Sequence, residues 1–98
     1  MPIISFKNSA TKDIAEQVIS KASLRLLPKE LHRIAFYKFC ILEAAESLEE
    51  LFSVPGLRLE ALRGDRKGQY SIRINSKYRI CFKWDKAKIS AVEIIDYH

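Results

Sequence analysis

The spacing of apolar residues changes once along this chain, at Pro55-Gly56, and the change divides what the two parts can fold into. Before it, Leu31, Ile34, Ala35, Phe39, Leu42 and Ala45 recur every three or four positions, as in the buried stripe of a helix. Phe36, Tyr37, Cys40 and Ile41 widen that stripe, which predicts a helix packed on a sheet rather than a free amphipathic arm. After it, the period is two. Leu57, Leu59, Ala61 and Arg63 alternate with Arg58, Glu60 and Leu62, and Tyr70, Ile72 and Ile74 alternate with Ser71, Arg73 and Asn75. Tyr78, Ile80, Phe82 and Trp84 then alternate with Arg79, Cys81 and Lys83, and an apolar run from Ile89 to Ile95 follows. Such alternation predicts half-buried antiparallel strands. Residues 64–68, Asn75-Ser76-Lys77 and Asp85-Lys86-Ala87 carry turn chemistry, and three short connections in a row imply a meander.

Upstream, residues 2–6 read as a β-branched and aromatic strand. Ser9 or Thr11 can cap a helix running to about Ala22, with Ile14, Val18 and Ile19 on one face. Leu26-Leu27-Pro28 ends it, and Pro28 suits the first turn of the second helix. Ser47 with Glu49 and Glu50 forms a capped turn before Pro55. The expected fold class is α+β, with an N-terminal strand and two helices packed on an antiparallel β-meander. At 98 residues the chain is expected to form one domain, 1–98, with one core. Its 48% apolar and 30% charged residues, with only three Gly and three Pro, exclude a disordered chain. Neither a signal peptide nor a membrane span is visible. Cys40 and Cys81 lack any paired-ligand spacing, so two buried free thiols in a reducing cytoplasm are expected.

The net charge of +5 is confined to the second part of the chain. Residues 1–56 hold seven Lys/Arg against seven Asp/Glu, whereas residues 57–98 hold ten against five. A surplus of this kind suits a polyanionic partner, and it also suits a solvated sheet face whose charges discourage edge pairing.

Arg79 stands mid-strand between core-pointing neighbours and must project from the opposite face. With Arg63 and Arg73 on neighbouring strands and His98 ending the last one, the set has the composition of a phosphate cradle beside a proton-transfer group. Regular alternation puts Asp96 and His98 on one face and Tyr97 on the other, so the three converge only if the terminus twists. Two readings of Asp96-Tyr97-His98 follow from the residues: part of a site, or a core-closing Tyr97 followed by a solvated His98. Trp84 and Tyr78 share the parity of Ile80 and Phe82 and are expected in the core, and His32 is expected at the surface.

The stretch from Leu57 to Asn75, which includes Arg63-Gly64-Asp65-Arg66-Lys67-Gly68, is followed by Tyr78-Arg79-Ile80-Cys81-Phe82-Lys83-Trp84 and then by Val92-Glu93-Ile94-Ile95-Asp96-Tyr97-His98. In that order these segments resemble the HigB (host inhibition of growth) toxins of the RelE/ParE superfamily. The resemblance implies a small RelE-like domain that enters the ribosomal A site and cuts translated messenger RNA. It implies a helix-turn-helix antitoxin of the HigA kind that binds the toxin and carries it to operator DNA, a toxin that is monomeric when free, and a cytoplasmic location. By matched position Arg79 resembles the family's phosphate-binding arginine, Arg63 an active-site basic residue, and Asp96, Tyr97 and His98 the C-terminal catalytic group. Arg73, Arg66, Lys67 and Lys83 are expected to contact RNA backbone. Glu60 and Arg63 depart from the pattern, since some members carry His and Lys there.

The implied chemistry is attack by the RNA's own 2′-hydroxyl, which needs a base, a cation for the phosphorane and an acid for the leaving 5′-oxygen. His98 can act as acid or base near neutral pH, Asp96 can orient it, and the two arginines can bind phosphate oxygens in a planar fork. Tyr97 is expected to stack or position, and Glu60 to serve as a base or as the ion-pair partner of Arg63 or Arg58. No acidic cluster in the sequence suggests a Mg²⁺ site, so neither metal nor other cofactor is expected. The alternative is a toxin that acts by protein binding, as the gyrase-inhibiting ParE branch does, or a weakened toxin retained for antitoxin binding and operon control.

Overall fold

The computed structural model describes residues 1–97. Four helices, α1 (Ser9–Ala15), α2 (Lys21–Leu26), α3 (His32–Ala44) and α4 (Leu48–Phe52), precede four strands, β1 (Glu60–Ala61), β2 (Gln69–Arg73), β3 (Tyr78–Asp85) and β4 (Lys88–Asp96). The strands form an antiparallel sheet in the order β1-β2-β3-β4, the expected meander. The N-terminal segment extends it in parallel along β4, with Ile3 bridging Ile89 and Phe6 bridging Val92. Its N–H groups at Ile4 and Lys7 donate to the carbonyls of Ile89 and Val92 at 2.8 and 2.9 Å. One core lies between helices and sheet: Ile14, Ala35, Phe39 and Leu42 meet Ile72, Ile80, Phe82, Ile89, Val92 and Ile94. Phe6 packs edge-on against Phe39 at 6.2 Å, joining the N-terminal segment to α3.

The first helix is two helices. Asn8, rather than Ser9 or Thr11, caps α1, accepting from the Thr11 N–H at 2.8 Å. Thr11 is buried, and its Oγ1 accepts from the Ile94 N–H at 3.2 Å, tying the helix to β4. Gln17 adopts φ 60°, which ends α1, and Ser20 restarts the chain with a reciprocal capping box to Ser23. Ser20 also donates to Asp13 at 2.7 Å, which holds the bend between the two helices. Val18 and Ile19 are exposed as a result. On α3 the buried stripe narrows to Ala35, Phe39 and Leu42, because a single sheet face covers one helix edge, and Ile34, Tyr37 and Cys40 face outward. Cys81 alone of the two thiols is buried.

Two departures from regular alternation set the outer face of the sheet. Arg58 takes φ 48°, which breaks the expected strand over 57–63, leaves Glu60–Ala61 as its paired part, and buries both Leu57 and Leu62. In β4, Cys81 opposes Glu93 but Lys83 opposes Ser90, so Ala91 and Val92 share one partner, Phe82, and Ala91 has φ 50°. This is a bulge. It lets Ile89, three positions before Val92, face the same core as Val92 and Ile94, and it turns Glu93, Ile95 and Tyr97 to the outer face. Trp84 lies beyond the core at the far end of β3 and is 37% exposed, against expectation.

Candidate RNA-binding and active site

Arg79 is anchored on the outer face by its neighbours across the sheet. It pairs with Arg73 in β2 and Ile95 in β4. Its side chain is only 10% exposed, a depth at which a guanidinium requires partners. Nε donates to Ser71 Oγ at 2.7 Å, and Nη2 donates to the carbonyls of Arg58 at 2.5 Å and Ser71 at 3.3 Å. The left-handed turn at Arg58 therefore aims a carbonyl at Arg79. Glu60 Oε1 stands 3.7 Å from Nε. Nη1 has no partner among the described residues, and since no fully buried side-chain nitrogen or oxygen among them lacks one, Nη1 is not fully enclosed. The Tyr97 ring lies 5.5 Å from the guanidinium carbon, a cation–π contact that covers the other side.

That cleft, of about 480 Å³, is lined by Arg58, Glu60, Arg73, Asn75, Arg79 and Tyr97 among others. Its cations are reinforced from behind. Lys38, on α3, donates to the Arg73 carbonyl at 2.7 Å, and its pKa is lowered by burial and then by the charges of Arg73 and Arg79. Arg58, Arg73 and Arg79 on one cleft, with Lys38 behind them, make it electropositive, which suits an anion such as a phosphate diester. A second hollow, of about 750 Å³, adjoins the first and is lined by Phe52, Arg63, Arg66 and again Glu60 and Tyr97.

The expected site residues separate on the structure. Arg79, Arg73 and Tyr97 come together in the first cleft, and Arg63 shares the second hollow with Tyr97. Asp96 does not join them. By register it opposes Tyr78, on the other face from Arg79, and its carboxylate lies 3.7 Å from Lys77 Nζ. The β4 alternation keeps Asp96 and Tyr97 on opposite faces, with Tyr97 the one turned to Arg79. His98 lies outside the described residues. Glu60 reaches Arg79 rather than Arg63 or Arg58. Arg66 sits in a 3₁₀ turn, Gly64–Arg66, rather than a loose loop, and its Nη1 donates to Glu93 at 2.7 Å and Gln69 at 3.1 Å. The hydrogen bond to Glu93 raises its pKa. Lys67 and Lys83 are exposed, and Lys83 stands on the Arg79 face four positions along β3.

Sequence reasoning missed Ser71, Lys38, the Arg58 carbonyl and Phe52. Ser71 carried a faint signal, a small hydroxyl on the arginine face of the neighbouring strand. Lys38 carried none, since it sits on a helix whose stripe speaks only of the core.

A family model described as the RelE-like toxin of type II toxin–antitoxin system HigB matches residues 7–98. Toxin HigB-1 of Vibrio cholerae is 43% identical over 60 residues, 61% of this chain and 63% of that protein. An uncharacterized protein of Haemophilus influenzae is 30% identical over 64 residues, 65% of this chain and 63% of that one. The chain thus spans just under two thirds of the length of the curated relatives it matches. Among solved structures, a chain of the heterotetrameric YoeB–YefM toxin–antitoxin complex of Staphylococcus aureus matches at TM-score 0.60 and 20% identity, over 100% of this chain and 97% of that one. The YoeB/ParE toxin from Agrobacterium tumefaciens matches at TM-score 0.60 and 16% identity over the whole of both chains. These two likenesses are of fold, and they agree with the α+β architecture. With the family match over nearly its whole length, the chain belongs to the HigB family of RelE-like toxins of type II toxin–antitoxin systems.

Proposed function

We propose that the protein is the toxin of a type II toxin–antitoxin pair and cuts translated messenger RNA in the ribosomal A site. The observation that carries this reading is Arg79, fixed through Nε and Nη2 and with no partner for Nη1 among the described residues, lining a cleft with Arg58, Arg73 and Tyr97. The reaction is a metal-independent transesterification. A base takes the proton of the 2′-hydroxyl, its oxygen attacks phosphorus, the bond to the 5′-oxygen breaks, and an acid protonates that oxygen. The products are a 2′,3′-cyclic phosphate and a 5′-hydroxyl. Arg79 and Arg73 stabilise the extra charge of the phosphorane from fixed positions, the arrangement in which such donors act most strongly. Glu60, 48% exposed beside Arg79, is the base within the cleft, and His98 is the acid. Tyr97 positions the nucleotide. Arg63, Lys67 and Lys83 hold flanking backbone, whereas Arg66 is largely committed to Glu93.

A helix-turn-helix antitoxin of the HigA kind is the partner and connects the toxin to operator DNA; free toxin is monomeric. The ribosomal target places its action in the cytoplasm; no helix among the described residues is long and apolar enough to cross a membrane. The single core shared by helices and sheet supports one domain over 1–98.

Primer extension on a translated message after brief induction tests the reading. Wild type should give discrete cuts, and Arg79→Ala and a chain lacking His98 should each lose about 10²-fold or more. Equal cutting by all three refutes the site. No cutting by wild type refutes the nuclease and favours a toxin acting by protein binding.

A further inference from the structure

Phe52 has no structural reason to be where it is. In α4, Leu48 and Leu51 are buried and complete the contact with the core, while Phe52, the last residue of the helix, is 61% exposed. The segment is well fixed: Ser47 Oγ accepts from the Glu50 N–H at 3.2 Å, and Ser53 Oγ donates to the Glu50 carbonyl at 2.8 Å. Phe52 lines the second hollow, whose other aromatic is Tyr97, 41% exposed. The two rings share that hollow with Arg63 and Arg66, and Glu60 and Tyr97 also line the Arg79 cleft. A phosphate cleft thus runs into a hollow with aromatic rims and cationic flanks. Bases of single-stranded RNA present flat π-faces and are bound by such platforms without hydrogen-bond readout, while arginines track the backbone. The volume, about 750 Å³, lies in the range of small-molecule sites and accommodates one unstacked nucleotide.

We propose that this hollow is a base subsite: an unstacked base flanking the cut phosphate lies between Phe52 and Tyr97, with its own phosphate on Arg63. The assignment rests on the nuclease reading above and adds to it the residue that holds the neighbouring nucleotide. Phe52 is a positioning residue for the substrate. Phe52 does not line the Arg79 cleft, which makes the two separable by mutation, and its exposure leaves the core without it.

The test is the same primer-extension assay with Phe52→Ala, Phe52→Leu and Phe52→Trp, each checked for an unchanged thermal melt. Loss of one stacking contact should lower cutting by Phe52→Ala by about 5- to 100-fold. Phe52→Leu, which keeps the apolar area but not the π-face, should stay near the Ala level, and Phe52→Trp should recover most of the loss. The nucleotide preference beside the cut should shift in Phe52→Trp. Wild-type cutting that is abolished by Arg79→Ala but unchanged in Phe52→Ala overturns the base subsite and leaves the nuclease standing. Equal activity of Leu and Trp variants overturns stacking. Absence of cutting by wild type overturns the nuclease reading and this subsite with it.

Discussion

Ser71 receives two of Arg79's hydrogen bonds, one through its hydroxyl and one through its carbonyl, and it is fully buried in doing so. Ser71→Ala leaves the carbonyl in place but strands the Nε donor at depth, an omission that costs about 1 to 3 kcal/mol. Urea denaturation should show that loss, with a matching fall in cutting because the guanidinium is no longer held. Glu60 allows a sharper separation. If it is the base, Glu60→Gln abolishes cutting; if it merely damps the charge of Arg79, 3.7 Å away, the same variant cuts faster than wild type. The second result would support a weakened toxin kept for antitoxin binding and operon control. Cys81 makes a prediction in pH. Burial pushes its thiol from the ordinary 9.0 up to about 11, ahead of smaller contributions from Arg66, Glu93, Arg79 and Glu60. The unfolded chain therefore releases this proton first. Between pH 9 and 11 the folded state holds more protons than the unfolded one, so stability falls as pH rises through that window, by about 3 kcal/mol. Denaturation midpoints of wild type and Cys81→Ala across that range should converge, since only wild type carries the term. At this scale the sequence was least informative. Arg79 was legible from parity, but its burial and its hydroxyl partner depend on a register that alternation alone leaves open.

Among the elements, the β3–β4 hairpin turns through Lys86 and Ala87, with φ 48° and 63°. Two positive φ values in a two-residue loop are the type I′ geometry, which Asn-Gly adopts without strain. Lys86→Asn with Ala87→Gly should raise stability by about 1 kcal/mol, seen as a melting shift of roughly 4 to 8 °C. Ala91→Gly at the bulge, where φ is 50°, should stabilise for the same reason, and Ala91→Val should destabilise. The meander was legible because strand alternation and turn residues are local signals. The division of the first helix was not, since Ser20 works as a cap only once Asp13 and Ser23 are brought to it. Nor was the collapse of the 57–63 strand, because Arg58 leaves extended geometry to supply Arg79 with an acceptor. In both places a tertiary contact overrode a sound local pattern.

For the whole molecule, the surplus of positive charge from residue 57 onward becomes a one-sided field, because the turn before β1 brings Arg58, β2 brings Arg73 and β3 brings Arg79 to one cleft, and Lys38 approaches from the helical layer. Affinity for a single-stranded oligoribonucleotide should therefore fall with salt. Contacts by Arg58, Arg63, Arg73 and Arg79 imply a log–log slope of about −3, and Arg73→Ala should reduce its steepness by about 0.7. Fluorescence anisotropy at graded ionic strength measures both. The grouping of these arginines was foreseeable from strand order, and the exclusion of Asp96 was foreseeable from parity; the intervention of Glu60 was not. The bulge at Ala91 has a consequence for how such a chain can vary. It sets the phase of β4, and the same phase governs which residues fill the core and which of the last residues meets Arg79. Deleting Ala91 would leave Val92 opposite Phe82 and Ser90 opposite Lys83 and keep every face, whereas deleting Glu93 would turn Ile94 outward in the same stroke that brought Asp96 opposite Arg79. The end of the chain is thus clocked by the interior: a change of length between Val92 and Ile95 alters the core and the Arg79 face together, while the bulge is the place where one residue can be lost without either.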